Sequence, residues 1–151
     1  MNNMKRRLAV RAIIVHDGKL LCSRAKPYSP AVDTNAWGVP GGGIDYGESL
    51  LPALKREIIE ELGIKPVIGN LVFIQQFINK LSRIEQLEFF FYIKNPSDYL
   101  NIDLPKTSHG HLEIAEVKFI NPTMYPILPR FLAVEPLDKL VNRPVKIFDY
   151  L

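Results

Sequence analysis

The stretch 41-GGGIDYGESLLPALKREIIEELGI-64 decides how this chain is read. Three glycines lead into a segment with the marks of a helix. Ser49 is a suitable N-cap, and Pro52 falls in the first turn, where its missing N–H costs little. Gly63 is placed to end the helix after Leu62. On a wheel of about 100° per residue, Glu57, Glu60 and Glu61 share one face. Leu51, Leu54, Ile58 and Leu62 form an apolar stripe roughly 100° away, so the carboxylates sit at the edge of a core. Like charges at this spacing repel by a few tenths of a kcal/mol per pair. A solvated acidic face would relieve that with lysines four residues on. Position 61 is itself Glu and position 64 is Ile, so neither Glu57 nor Glu60 finds one.

Clustered carboxylates of this kind suit a hard divalent cation with oxygen ligands, Mg²⁺ or Mn²⁺. The cation also accounts for the glycines. Gly41, Gly42 and Gly43 let backbone approach a ligand closely, and a helix N-terminus favours phosphate. No lysine completes a G-x-x-x-x-G-K-[ST] loop, which excludes that phosphate-binding pattern. Bare phosphate would be repelled by Glu48 and its three companions, whereas phosphate bridged by a cation would not. Metal-assisted chemistry on a diphosphate is the reading this stretch supports.

Outward from there, 151 residues suit a single domain spanning 1–151. Composition is that of a folded soluble protein, with 47% hydrophobic and 23% charged residues. No apolar run approaches the roughly 20 residues a membrane span needs. Arg11 interrupts the apolar run near the N-terminus, so a signal peptide is not expected. Cys22 is the one cysteine, read as a buried thiol, and the cytoplasm is the default location. Residues 44–64 carry a charge of −3 (Asp45, Glu48, Glu57, Glu60 and Glu61 against Lys55 and Arg56), leaving +6 on the rest of a +3 chain. That asymmetry suits a site drawing an anionic ligand to a local acidic pocket.

Strands are expected at 8–15, 19–24, 67–78, 84–94 and 116–120, with an Asp17-Gly18 turn joining the first two. Residues 26–36 and 95–112 read as loops. A helix is expected over about 127–142, shortened or kinked by Pro129 and Pro136. Strands mixed with helices give an α/β domain.

The quoted stretch resembles the Nudix box, G-x5-E-x7-R-E-U-x-E-E-x-G-U, where U is aliphatic. Gly42, Glu48, Arg56-Glu57, Ile58, Glu60-Glu61, Gly63 and Ile64 fill every specified position. The preceding Trp37-Gly38-Val39-Pro40-Gly41-Gly42 is also similar to the usual lead-in. The resemblance implies an α/β/α sandwich with a mixed β-sheet between helices. It implies a Mg²⁺-dependent pyrophosphohydrolase that cleaves a nucleoside diphosphate linked to another group: a nucleotide sugar, an ADP-ribose-like compound, a dinucleotide or a nucleoside triphosphate. By the same likeness Glu57, Glu60 and Glu61 hold metal with a backbone carbonyl near Gly42. One of them doubles as general base, and Arg56 orients Glu57. Glu48 supports the loop–helix junction and the substrate. A further glutamate from a distant loop serves some members of the family. Glu113 is the first candidate, with Glu116 and Glu88 behind it, and His109 and His111 flank the loop.

The substrate is less legible. Asn79 stands where many ADP-ribose hydrolases of the family carry proline, and Leu81 where a tyrosine marks diadenosine-polyphosphate hydrolases. Trp37, Phe77, Tyr28 and Tyr125 offer rings for a base to stack on, Trp37 and Tyr125 foremost. A Nudix-fold sensor that binds nucleotide without hydrolysis is the alternative, though all the metal ligands are present. An isomerase of the same fold would need a catalytic cysteine, and Cys22 lies in an early strand. The expected partner is a small nucleoside diphosphate derivative, not a membrane. Nucleic acid is not expected beyond capped RNA ends, and a homodimer is left open.

Overall fold

The computed structural model describes residues 3–30 and 32–151. Strand β1 (Lys5–Ile13) enters the centre of the molecule. The hairpin of β2 (Val15–His16) and β3 (Lys19–Ala25) follows. Asp17 and Gly18 turn it with φ of 50° and 73°, the left-handed pair that a two-residue hairpin turn requires. Then come β4 (Trp37–Gly38), β5 (Gly41–Gly43), α1 (Leu50–Leu62), β6 (Ile68–Asn79), β7 (Ile84–Ile93), the one-turn α2 (Gly110–Glu113), β8 (Ile114–Ile120) and β9 (Lys146–Asp149).

The main sheet has the order β5-β1-β7-β6-β9 and is mixed. β1 runs parallel to β7 and β9 parallel to β6, while β5–β1 and β6–β7 are antiparallel. A smaller sheet joins β2, β3 and β4, with β8 pairing to β3. Side chains alternate across these strands into two cores. Phe90 points into one with Phe73, Leu20, Trp37 and Phe131. Its neighbour Phe91 points into the other, with Val10, Ala12 and helix α1. The α/β fold with a mixed sheet is therefore as expected.

Helix α1 begins after Ser49, whose backbone is extended but whose hydroxyl makes no capping bond. It ends at Gly63, where φ of 73° lets the N–H reach Ile59 O. Ala53, Leu54, Ile58 and Leu62 are buried. Leu51, expected in the apolar stripe, is instead 48% exposed.

The C-terminal part departs from expectation. No α-helix forms over 127–142; 3-10 turns occupy Arg130–Ala133 and Leu137–Lys139. Pro126, Pro129 and Pro136 interrupt the run with missing N–H donors, which leaves only short turns. Those turns still bury Phe131 and Leu132 against the sheet face opposite α1. Strand β9 was not anticipated. It adds to the sheet edge through pairing with β6, and Phe148 stacks on Phe131 at 3.9 Å between centroids. No helix of the described residues is long and apolar enough to cross a membrane.

Candidate functional site

Strand β5 pairs with Ala9, Val10 and Arg11 of β1 and packs on α1, so the three glycines run past the glutamate face. The approach is close. A Cβ on Gly42 would overlap the Glu57 carboxylate, and one on Gly41 would overlap Val10 O. Only glycine fits at Gly41, where the obstacle is backbone and φ is 142°, while a side chain at Gly42 would displace the Glu57 carboxylate. Gly110 of α2 likewise packs onto Glu61 O, which seats the 108–113 segment beside the end of α1.

Arg56 organises the acidic face. Its Nε donates to Glu48 Oε1 at 2.7 Å and its Nη2 to Glu48 Oε2 at 2.9 Å, a two-pronged pair. Nη2 also donates to Gly43 O at 3.0 Å. Nη1 donates to Glu57 Oε1 at 2.9 Å and to Glu60 Oε2 at 3.3 Å. One cation thus offsets the repulsion among three carboxylates. Its hydrogen bonds hold the Glu48 carboxyl down to about 2. Glu48 also accepts from Asp45 N–H at 3.0 Å, which ties the loop to the helix.

Glu61 is treated differently. Its Oε2 accepts from Gly41 N–H at 3.1 Å. Burial pushes its carboxyl up to about 8, against the pull of Arg11 and the Gly41 N–H. Burial also raises Glu57, although Arg56 opposes it.

Glu57, Glu60, Glu61 and Glu113 line one cavity of about 330 Å³ with Arg7, Arg11, Tyr28, His109 and Gly41–Gly43. The structure therefore brings Glu113 to the helix glutamates. His109 Nδ1 stands 4.0 Å from Glu60 Oε2 and 2.8 Å from Ser108 Oγ. The other candidates are not brought there. His111 Nδ1 bonds Thr107 O at 2.8 Å, and Glu116 lies near Arg24 and Lys118 on the smaller sheet. Glu48 holds Arg56 from behind. Tyr125 meets the Trp37 ring edge-on at 5.4 Å, and Lys118 stands over both rings. Trp37 is 6% exposed and belongs to the core, touching only the cavity beside Glu61 and Glu113. Neither ring presents a free face at the glutamates.

Among the described residues, no three His, Cys, Asp or Glu side chains stand together as a finished metal cluster. The donors nevertheless fit a hard divalent cation in kind. They are carboxylates beside a backbone segment, with a glycine where any side chain would intrude. Glu61 is partly buried and makes no salt bridge among the described residues, and a bound cation would supply that charge.

A second cavity, of about 500 Å³, opens on the far side of Arg11. Arg11 donates from Nη1 to Gly41 O and from Nη2 to Glu88 Oε1, each at 3.1 Å. It therefore lies between the two cavities. Glu88, the weakest of the glutamate candidates, belongs to this cavity and not to the first. Burial works to raise its carboxyl, but Arg11 and Gln75 hold it below the usual range. Arg11, at the junction of the two cavities, is the residue that sequence reasoning did not single out for the site. The signal was present: an arginine inside the apolar run LAVRAIIV, and a glutamate inside LEFFFYI two strands of one sheet away from solvent.

The NUDIX domain family model matches residues 5–140, and the chain belongs to the Nudix hydrolase family. A nucleoside triphosphatase NudI of Escherichia fergusonii is 41% identical over 69 residues, which span 45% of this chain and 48% of that protein. The chain thus matches about half the length of that relative. The solution structure of the E. coli ORF135 protein superposes with a TM-score of 0.64 at 25% identity, over 91% of this chain and 90% of that one. The MutT protein from Methanosarcina mazei Go1 gives 0.71 at 22% identity, over 95% and 100%, a likeness of fold.

Proposed function

We propose that the protein is a Mg²⁺-dependent pyrophosphohydrolase acting on a nucleoside diphosphate joined to another group, nucleoside triphosphates included. The observation that carries this reading is the pair of cavities meeting at Arg11, one lined by carboxylates and one by rings. The first suits a cation-bound diphosphate and the second a nucleobase. The likeness to a nucleoside triphosphatase over part of the chain supports the same class.

Glu57, Glu60 and Glu61 hold the cation, with the backbone at Gly42 beside them. Mn²⁺ suits the same oxygen donors. When bound, the cation supplies charge neutralisation and polarises phosphoryl oxygens. Arg56 positions Glu57 and Glu60 and keeps them from repelling apart. Arg7 and Arg11 face the same space and attract the phosphates. Glu113, at the rim and without a basic partner among the described residues, receives the proton of the attacking water.

The test is a panel of nucleoside triphosphates, dinucleotides, nucleotide sugars, ADP-ribose and capped RNA ends, incubated with and without Mg²⁺. At least one substrate should release a mononucleotide only with metal. Glu60→Gln and Glu61→Gln should each lower that release about a hundredfold or more. Wild-type rates in both variants would refute the metal assignment. Nucleotide binding without turnover across the panel would favour the sensor reading.

A further inference from the structure

The ring-lined cavity has a polar floor whose chemistry is directional. Gln75 on β6 and Glu88 on β7 are direct cross-strand partners, and Arg11 reaches Glu88 from β1. Both Gln75 and Glu88 are buried, at 4% and 5% exposure. Glu88 is fully engaged: Oε1 accepts from Arg11 and Oε2 accepts from Gln75 Nε2 at 2.8 Å. That bond fixes the amide. Beside an arginine-paired carboxylate only the NH₂ can face Glu88, so the Gln75 oxygen must point away from it.

Gln75 Oε1 accepts no hydrogen bond among the described residues. It is not sealed off either, since Ser82 Oγ is the one described buried side-chain atom that lacks both solvent and partner. An unused acceptor is therefore left with an outlet, and Gln75 lines the cavity. Around it stand Val39, Phe77, Phe90, Leu128 and Tyr150. Flat apolar walls above a lone acceptor suit a nucleobase edge-on to the floor.

Resting on the hydrolase reading above, we infer that this cavity selects nucleobases that carry an exocyclic amino group, with Gln75 Oε1 accepting from that group and Glu88 and Arg11 holding Gln75 in place. Adenine and cytosine present a donor at this edge; hypoxanthine and uracil present a carbonyl oxygen there. A carbonyl would face the Gln75 oxygen with the Glu88 carboxylate behind it, acceptor against acceptor. Gln75 is then the specificity-determining contact, while Glu88 and Arg11 are positioning residues.

The experiment separates base selection from catalysis by using nucleosides without metal. Adenosine is compared with inosine, and cytidine with uridine, in NMR titrations of the whole chain up to millimolar ligand. The amino-bearing member of each pair should bind about tenfold more tightly, equivalent to about 1.4 kcal/mol. Its shifts should fall on Gln75, Phe77 and Phe90. Gln75→Met keeps the length of the side chain and removes the acceptor. It should bring each pair to within about twofold, with its fold checked by thermal melting. Equal or reversed affinities in the wild-type protein overturn the inference, as does the absence of any nucleoside binding. Turnover without discrimination overturns this inference and leaves the hydrolase standing. Discrimination in binding, with no turnover of any tested compound, does the reverse.

Discussion

The two cavities that meet at Arg11 each hold a glutamate, and the two glutamates have opposite fates. Glu61 sits among other carboxylates and accepts from the Gly41 N–H, and burial pushes its carboxyl up to about 8 against the pull of Arg11. Glu88 is buried, at 5% exposure, yet Arg11 and Gln75 outweigh burial and hold its carboxyl down. The difference is one of satisfied charge. Glu88 is a finished structural pair, while Glu61 still lacks a counter-charge. A buried carboxylate without its cation marks a place for a ligand; one with its cation marks a scaffold.

Exchanging the two glutamates should break that comparison most visibly. Glu61→Gln should lower metal-dependent turnover about a hundredfold or more with little change in KM. Initial rates across a substrate series would show whether kcat carries the loss. A loss residing only in KM would place Glu61 outside the metal site.

Removing the shared cation of the acidic face comes next. Arg56→Met leaves Glu48, Glu57 and Glu60 without their common donor. Arg56 is partly exposed, so about 2 kcal/mol of lost stability is expected, below the range for fully buried pairs. A lower urea midpoint at unchanged slope would register it. In the other cavity, Phe77→Ala should raise KM several-fold and leave kcat nearly untouched, because it removes a wall of the ring-lined cavity and no carboxylate.

The pH dependence of stability should sharpen the contrast. Glu61 has a folded pKa above its unfolded value near 4.3. Its contribution in metal-free protein is therefore full below about pH 4 and is lost as pH rises through about 8. Glu88 has a folded pKa below its unfolded value, so its contribution is present above that value and is lost on acidification. Thermal melts from acid to alkaline pH should show Glu61→Gln flattening the alkaline limb and Glu88→Gln flattening the acid limb. Mg²⁺ should restore alkaline stability to the wild type and to Glu88→Gln but not to Glu61→Gln, since binding requires the ionised Glu61 carboxylate. The smallest effect belongs to Leu51→Ala. At 48% exposure it should change the melting free energy by no more than about 0.5 kcal/mol, against about 2–5 for Leu54→Ala in the core.

Much of the carboxylate site was legible because it is local. The helical period alone puts Glu57, Glu60 and Glu61 on one face, and Arg56 is their immediate neighbour. Gly63 announced the helix end by its freedom to adopt a positive φ. Leu51 was misplaced because a wheel knows angle but not which stretch of helix the sheet covers. The expected helix over 127–142 failed because its prolines allow single turns and no sustained ladder. Strand β9 was missed because so short a run pairs only when β6 offers it an edge.

By itself, then, the sequence determined which carboxylates share one face of the helix. Repelling charges at a fixed helical spacing carry their meaning with them. Tertiary structure alone decided what stands beside them. Arg11 comes from β1, far in sequence from the β6–β7 hairpin that carries Gln75 and Glu88, and Leu128 and Tyr150 come from the irregular C-terminal part. Hydrogen-bond direction at the cavity floor depends on register between strands, where a slip of one residue would turn each of these side chains to the other face.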